Sequence, residues 1–511
     1  MDVHITLDSL PSEVVNRICT FISPRDILCF RLCSRATAAK SRHQFGQRCF
    51  VYNRFLLTSK NMAILEAIAK HDHFRTVVRG VYIVPALFEG RYSMDQVEYR
   101  QWASQSRARR TLYPSRARRD DLEVPDDKLL KYYPAYKEVV ADHLDVVFSG
   151  RLREILAYCA SRFPNLTSVG LSHYNAERQD LLNLTRRLDC PEWRDLVARL
   201  GCDPAIPWHI TSPFKEGDPN VRASVFTSLL RALITPGAEN LILQELNTCH
   251  TASKYVSCCS GLMLGELDLS SYEQELILTR LESMKLEKLH MCIRDFHGQK
   301  HPEYYLFMNK IVARVSPTLS DFRSMRSPTH EGYEYAKQQI SWLAHNTSFS
   351  SLYRLELGGI HTTVGDFKRL LATAASTLRV ANLWDIFLSV DNPPPGSEEC
   401  ARLGRQLWRE MWTWLGEKLD PLGITMSSLH GPGHGGLRIR DRLHGFRGTH
   451  PTINASNVGQ YLKAKSHVSF KEWISQLRFE KLMLSPRRVV MMKRRSYIRS
   501  DGSAGNVHDQ R

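Results

Sequence analysis

Leu352-Tyr353-Arg354-Leu355-Glu356-Leu357 is the cleanest instance of a pattern that returns through the middle of this 511-residue chain. The pattern is apolar-x-x-apolar-x-apolar. Its last four residues alternate charge with leucine, as a strand with one apolar and one polar face would. Leu166-Thr167-Ser168-Val169-Gly170-Leu171, Leu264-Gly265-Glu266-Leu267-Asp268-Leu269 and Leu286-Glu287-Lys288-Leu289-His290-Met291 fit it. Leu243-Gln244-Glu245-Leu246-Asn247-Thr248 and Leu378-Arg379-Val380-Ala381-Asn382-Leu383 are degenerate, and Leu319-Ser320-Asp321-Phe322 begins another. From the middle onward the starts fall at 243, 264, 286, 319, 352 and 378. Helical patterns sit between several of them. Phe226, Leu229, Leu230 and Leu233 share one helix face, as do Phe367, Leu370, Leu371 and Ala374.

Strand-then-helix alternation on this spacing resembles the leucine-rich repeat, whose units run to about 20–29 residues. The longer intervals here are read as insertions. The resemblance implies a solenoid whose parallel strands line a concave face, each unit burying its apolar side against its neighbours. The expected fold class is therefore α/β, with an N-terminal all-α module followed by an irregular leucine-rich-repeat-like α/β solenoid. A mixed α/β domain with coincidental leucines would give the same pattern. The side chains expected to meet a partner are the polar ones between the leucines: Glu266, Asp268, Lys288, His290, Arg354, Glu356, Arg379 and Asn382.

Toward the N-terminus the chain reads Leu10-Pro11-Ser12-Glu13-Val14-Val15, then Ile18, Phe21 and Ile22, then Ser23-Pro24-Arg25-Asp26-Ile27-Leu28, then Arg31-Leu32-Cys33-Ser34-Arg35. Val14, Ile18, Phe21 and Ile22 recur on one helical face. Ser23 suits a helix cap, with Pro24 in the first helical position and Asp26 in the first turn. Ile27, Leu28 and Leu32 give a second short helix its apolar face. This ordered set resembles the F-box. It departs by Val14 for the usual Ile and Ile27 for the usual Leu. The following Phe55-Leu56-Leu57-Thr58, Leu65, Ile68-Ala69, His71, Phe74 and Val78 are similar to the segment after the box in filamentous-fungal F-box proteins, so the likeness covers about residues 7–88.

The resemblance implies a partner, a Skp-type adaptor and through it the cullin of a RING ubiquitin ligase. The positions implied to make that contact are Leu10, Pro11, Ile18, Phe21, Ile22, Ile27, Leu28, Arg31 and Leu32. Some of them must pack the hairpin itself, and the pattern leaves open which. The implied function is substrate recognition for that ligase, with a protein substrate held on the repeats. Two other readings fit: a leucine-rich scaffold outside ubiquitination, and a basic nuclear factor associated with nucleic acid.

Composition bounds the rest. Hydrophobic residues make up 43% of the chain, enough for a large core, and no apolar run of eighteen residues occurs. Asp2, His4 and Asp8 interrupt what a signal peptide would need, so an intracellular protein, in cytoplasm or nucleus, is expected, with no membrane partner. The twelve cysteines are scattered with no Cys-x-x-Cys pair, so neither a disulfide framework nor zinc is expected. Lys and Arg number 69 against 53 Asp and Glu, a net charge of +16. Much of that lies in two blocks, Arg107–Arg119 and a tail with Arg487-Arg488 and Lys493-Arg494-Arg495. The tail could serve nuclear import; no basic stripe interleaved with aromatics points to nucleic acid. Gly431-Pro432-Gly433-His434-Gly435-Gly436 lacks the Gly-Lys-Ser/Thr of a phosphate loop, and no hydrolase, zincin, dinucleotide or kinase motif occurs. No enzyme and no cofactor are expected. The expected divisions are a helical module at 1–55; a linking region at 56–145 with a charged loop at 103–127; an array at 146–390 with an insertion near 172–240; an extension at 391–485 packing on the array; and a disordered basic tail at 486–511.

Overall fold

The computed structural model describes residues 6–85, 93–100, 130–172, 193–200, 221–250, 262, 264, 267–293, 302–326, 333–390, 397–419, 423–430, 438–441 and 477–480. The charged loop, the glycine-rich segment at 431–436 and the basic tail lie outside them. The chain begins with four short helices, α1 (Ser12–Phe21), α2 (Pro24–Leu32), α3 (Arg35–Lys40) and α4 (Arg42–Cys49). Nine strands follow in one all-parallel sheet: β1 (Tyr52–Leu56), β2 (Gly80–Val84), β3 (Ser168–Ser172), β4 (Glu245–His250), β5 (Lys288–Ile293), β6 (Asp321–Arg326), β7 (Arg354–Thr362), β8 (Val380–Leu388) and β9 (Gly423–His430). Their order in the sheet is their order in the chain. A separate antiparallel pair joins β10 (Arg438–Asp441) to β11 (Leu477–Glu480).

Sequential order decides where the helices go. Right-handed crossovers that always step the same way place every connecting helix on one face of the sheet. The connecting helices include α5 (Ser59–Lys70), α6 (Asp72–Arg75), α7 (Tyr133–Phe148), α8 (Arg151–Arg162), α9 (Trp193–Leu200), α10 (Val221–Leu233), α11 (Ser271–Met284), α12 (Pro302–Val315), α13 (Tyr333–Asn346), α14 (Val364–Ala372) and α15 (Ser397–Lys418). From α10 to α15 each packs on the next, and α8 bridges α5 and α10. Their starts are capped locally. Ser270 and Glu273 form a reciprocal capping box at α11, and Thr363 Oγ1 accepts from the Asp366 N–H at α14.

The strand starts share one backbone device. The N–H groups of Arg79 and Gly80 both donate to the Val51 carbonyl, and those of Thr167 and Ser168 to Arg79. The fork repeats from Gln244 and Glu245 to Thr167, Glu287 and Lys288 to Gln244, Ser320 and Asp321 to Glu287, Tyr353 and Arg354 to Ser320, and Arg379 and Val380 to Tyr353. The residue before each fork is buried: Val78, Leu166, Leu243, Leu286, Leu319, Leu352 and Leu378. Those from 166 onward are the first leucines of the sequence pattern. They anchor the bend into each strand, and the two later apolar positions point into the core between sheet and helices. That core is one cluster running from Phe55 to Leu419.

Three expectations need correction. None of the described residues between Leu264 and Leu269 lies in a strand. Leu267 and Leu269 are buried in irregular chain that leads to the capped start of α11, and Leu262 makes only an isolated bridge to Ile293. The sheet begins well before 146, because β1 and β2 lie within regions assigned to the helical module and to a linker. The part of the expected insertion at 221–233 is a core helix, with Phe226 and Leu230 fully buried. At the other end α15 packs on α14, with Trp408, Met411, Trp412 and Leu415 buried in the main core, and β9 extends the sheet itself.

Candidate functional sites, a helical box and an open sheet face

Helices α1 to α4 enclose a very small core. Val15, Cys19 and Ile27 are fully buried, with Leu10, Ile22, Phe30 and Phe45 packed around them. Cations tie the module together by donating to carbonyls that helix ends leave unpaired. Arg48 donates to Cys19 and Ile22 at the end of α1. Lys40 Nζ donates to the carbonyls of Asp8 and Leu10, at 2.7 and 2.6 Å. Arg31 lies 4.2 Å over the Phe45 ring and donates to Ala38 O at 2.6 Å. Ser23 caps α2 as its sequence suggests. Phe45, Phe50 and Phe74 then stack edge and face at 4.7–5.7 Å, joining the module to the first turn of the array. Meanwhile Phe21 is 75% exposed and Leu32 86%, with Leu7, Val14 and Leu28 also outside.

The second candidate site is the sheet face opposite the helices. Residues on alternate strand positions line it, and strand register sets them in rows. One row runs Glu245, Lys288, Asp321, Arg354; the next runs Asn247, His290, Arg323, Glu356, Asn382. Opposite charges meet across strands. His290 Nε2 lies 3.3 Å from Asp321 Oδ1, Arg323 Nε 3.5 Å from Asp321 and 3.7 Å from Glu356, and Arg354 Nη2 3.9 Å from Glu356. Lys288 Nζ is 4.0 Å from Glu245. Burial pushes the Asp321 carboxyl up, but His290, Arg323 and Arg354 outweigh it and hold it below its usual value. Near β2, burial holds the Tyr82 hydroxyl far above its usual range, and it shares a 2.6 Å hydrogen bond with Ser168. Among the described residues no group of three or more His, Cys, Asp or Glu could hold a metal ion, and no helix is long and apolar enough to cross a membrane.

Residues 7–44 match the F-box domain model. The chain carries an F-box. No curated protein matches the chain. F-box domains bind Skp-type adaptors, which link them to a cullin. The structure sorts the positions that resemblance assigned to this contact. Pro11, Phe21, Leu28 and Leu32 are exposed. Leu10, Ile18, Ile22 and Arg31 are half-buried, and Arg31 is engaged inside the F-box. Ile27 is fully buried and cannot touch a partner without unfolding the hairpin. Leu7 and Val14 are also exposed on this small module.

On the sheet face the structure brings together Lys288, His290, Arg354, Glu356 and Asn382. It removes Asp268, which precedes α11 and meets Arg231 at 3.6 Å, and Arg379, which sits at the bend before β8. Glu266 lies outside the described residues. Glu245, Asp321 and Arg323 belong to the face and were missed, although each stands two residues from a residue on that face or directly across from one in register.

Proposed function

We propose that the chain is the substrate-recognition subunit of a Skp–cullin–RING ubiquitin ligase. The F-box docks the adaptor, and the leucine-rich-repeat-like array holds a protein substrate on its open face. One observation carries the reading: a matched F-box whose large apolar side chains, Phe21, Leu28 and Leu32, stand in water beside a core of three residues. Large exposed apolar groups on so small a module favour a partner groove that takes a helical face. In this reading the chain performs no chemistry of its own; it brings a substrate to the ligase.

The test is co-purification of the full chain with a Skp-type adaptor beside the double variant Phe21→Ala, Leu32→Ala. Both side chains are exposed, so the variant keeps its fold while losing the adaptor. A folded wild-type chain that captures no adaptor would overturn the ligase reading and leave a protein-binding scaffold.

A further inference from the structure

The face opposite the helices is not evenly charged. Its carboxylates are tucked down and its cations stand up: Asp321 and Glu356 side chains are 15% and 8% exposed, Lys288 and Arg354 46% and 36%. Its arginine–carboxylate pairs are loose, at 3.5 Å or more. An arriving anionic oxygen therefore meets donors in a fork geometry suited to it.

A different chemistry adjoins this row. In the next register Cys292, Met325, Gly358 and Trp384 follow one another from β5 to β8. Cys292 and Met325 are buried and, with Trp384 packed on them, form an apolar cluster apart from the main core. Gly358 makes the shelf. A methyl group built there would fall 2.2 Å from Trp384 Cε2, so the indole lies against bare backbone. The main core does not include this tryptophan, yet it is held in place against Gly358, two residues along the strand from Asn382. A fixed aromatic one register step from a row that carries Arg323 has the residue types enriched at protein-interface hot spots.

Building on the substrate-recognition reading above, we infer that this face takes an acidic protein segment bearing one large apolar side chain. The anionic oxygens meet Lys288, Arg323 and Arg354, and the apolar group seats on Trp384 beside Met325. Carboxylates and phosphates offer the same oxygen chemistry, so the test separates them.

A random peptide display library is selected on the immobilised full chain and, in parallel, on Trp384→Ala, Gly358→Ala and the double variant Lys288→Glu, Arg354→Glu. The wild-type chain is expected to enrich peptides rich in Asp and Glu with a Trp, Phe or Leu. Charge reversal should abolish the acidic preference. Trp384→Ala should keep it, lose the apolar one and weaken a resynthesised wild-type peptide by roughly tenfold or more. Gly358→Ala, which displaces the ring without removing it, should weaken the same peptide if the smaller variant misfolds. The enriched peptide with phosphoserine replacing its acids then shows which anion the face prefers; binding of either form supports the proposal. Enrichment of basic or neutral peptides, identical enrichment by all variants, or none would overturn it. Adaptor capture by each variant, read on the same protein, reports the F-box independently.

Discussion

The F-box and the array solve the burial problem in opposite ways. The array turns its leucines inward, into a core that runs from Phe55 to Leu419, and shows charge on its open face. The F-box has Val15, Cys19 and Ile27 as its fully buried apolar side chains and leaves Phe21 and Leu32 outside. Exposed apolar area is worth about 25 cal/mol per Å² when a partner covers it. The F-box therefore holds back stabilisation that docking would supply, while the array is complete before anything binds. Affinity at the first surface is expected to come from apolar burial, and selectivity at the second from charge.

Substitutions can break or sharpen that contrast. The largest effect is expected inside the array. Phe322→Ala removes a fully buried ring stacked 5.5 Å from Phe349 and should cost about 3–5 kcal/mol in chemical denaturation. Within the F-box, Ile27→Ala should cost about 2–4 kcal/mol and lose the adaptor only through loss of the fold. Leu32→Ala should leave melting unchanged and weaken adaptor binding by about 2 kcal/mol, roughly thirtyfold. An Ile27→Ala chain that stays folded yet loses the adaptor would place that side chain at the interface and spoil the inside–outside division.

A smaller effect tests an ion pair within the array. Arg231 Nε donates to Glu273 Oε1 at 2.7 Å, linking α10 to α11. The hydrogen bonds from Arg231, and those from Ser270, hold the Glu273 carboxyl at about 2, against an ordinary 4.5. The folded state thus takes up this proton less readily than the unfolded chain. Its stabilisation is complete above about pH 4.5 and is lost as pH falls toward 2. Glu273→Gln should cost roughly 1–2 kcal/mol at neutral pH and flatten acid denaturation in that window. Gly358→Ala, whose methyl would meet the Trp384 ring at 2.2 Å, should cost about 1–3 kcal/mol and shift the emission of Trp384.

How much of this could be read beforehand follows from what each signal depends on. The strands from β3 to β8 announce themselves because the leucine before each fork and the two after it must be apolar for the bend and the core together. The same spacing misleads at Leu264–Leu269, where leucines line irregular chain on its way to the Ser270 cap. Spacing records burial and does not say whether the backbone is extended. Strands β1 and β2 escaped notice because Asn53-Arg54-Phe55 and Val81-Tyr82-Ile83 lack the leucine register. In the F-box, the Ser23-Pro24 turn is written in local chemistry and was legible. Which of Ile27 and Leu28 faces inward is set by α3 and α4 packing against them, and no periodicity of α2 alone contains that. Likewise Lys288, His290, Arg354 and Glu356 were visible between their leucines, whereas Arg323 becomes part of the face only through pairing with β5 and β7.

The order of strands also bears on how the molecule comes into being. Each strand from β2 to β9 pairs with one already made, and none waits for a partner further along the chain. On a ribosome adding about 5–20 residues each second, every new strand emerges onto a finished edge, so assembly keeps pace with synthesis and proceeds in one direction. The F-box precedes the array in the chain, so it leaves the ribosome while most of the array is still untranslated.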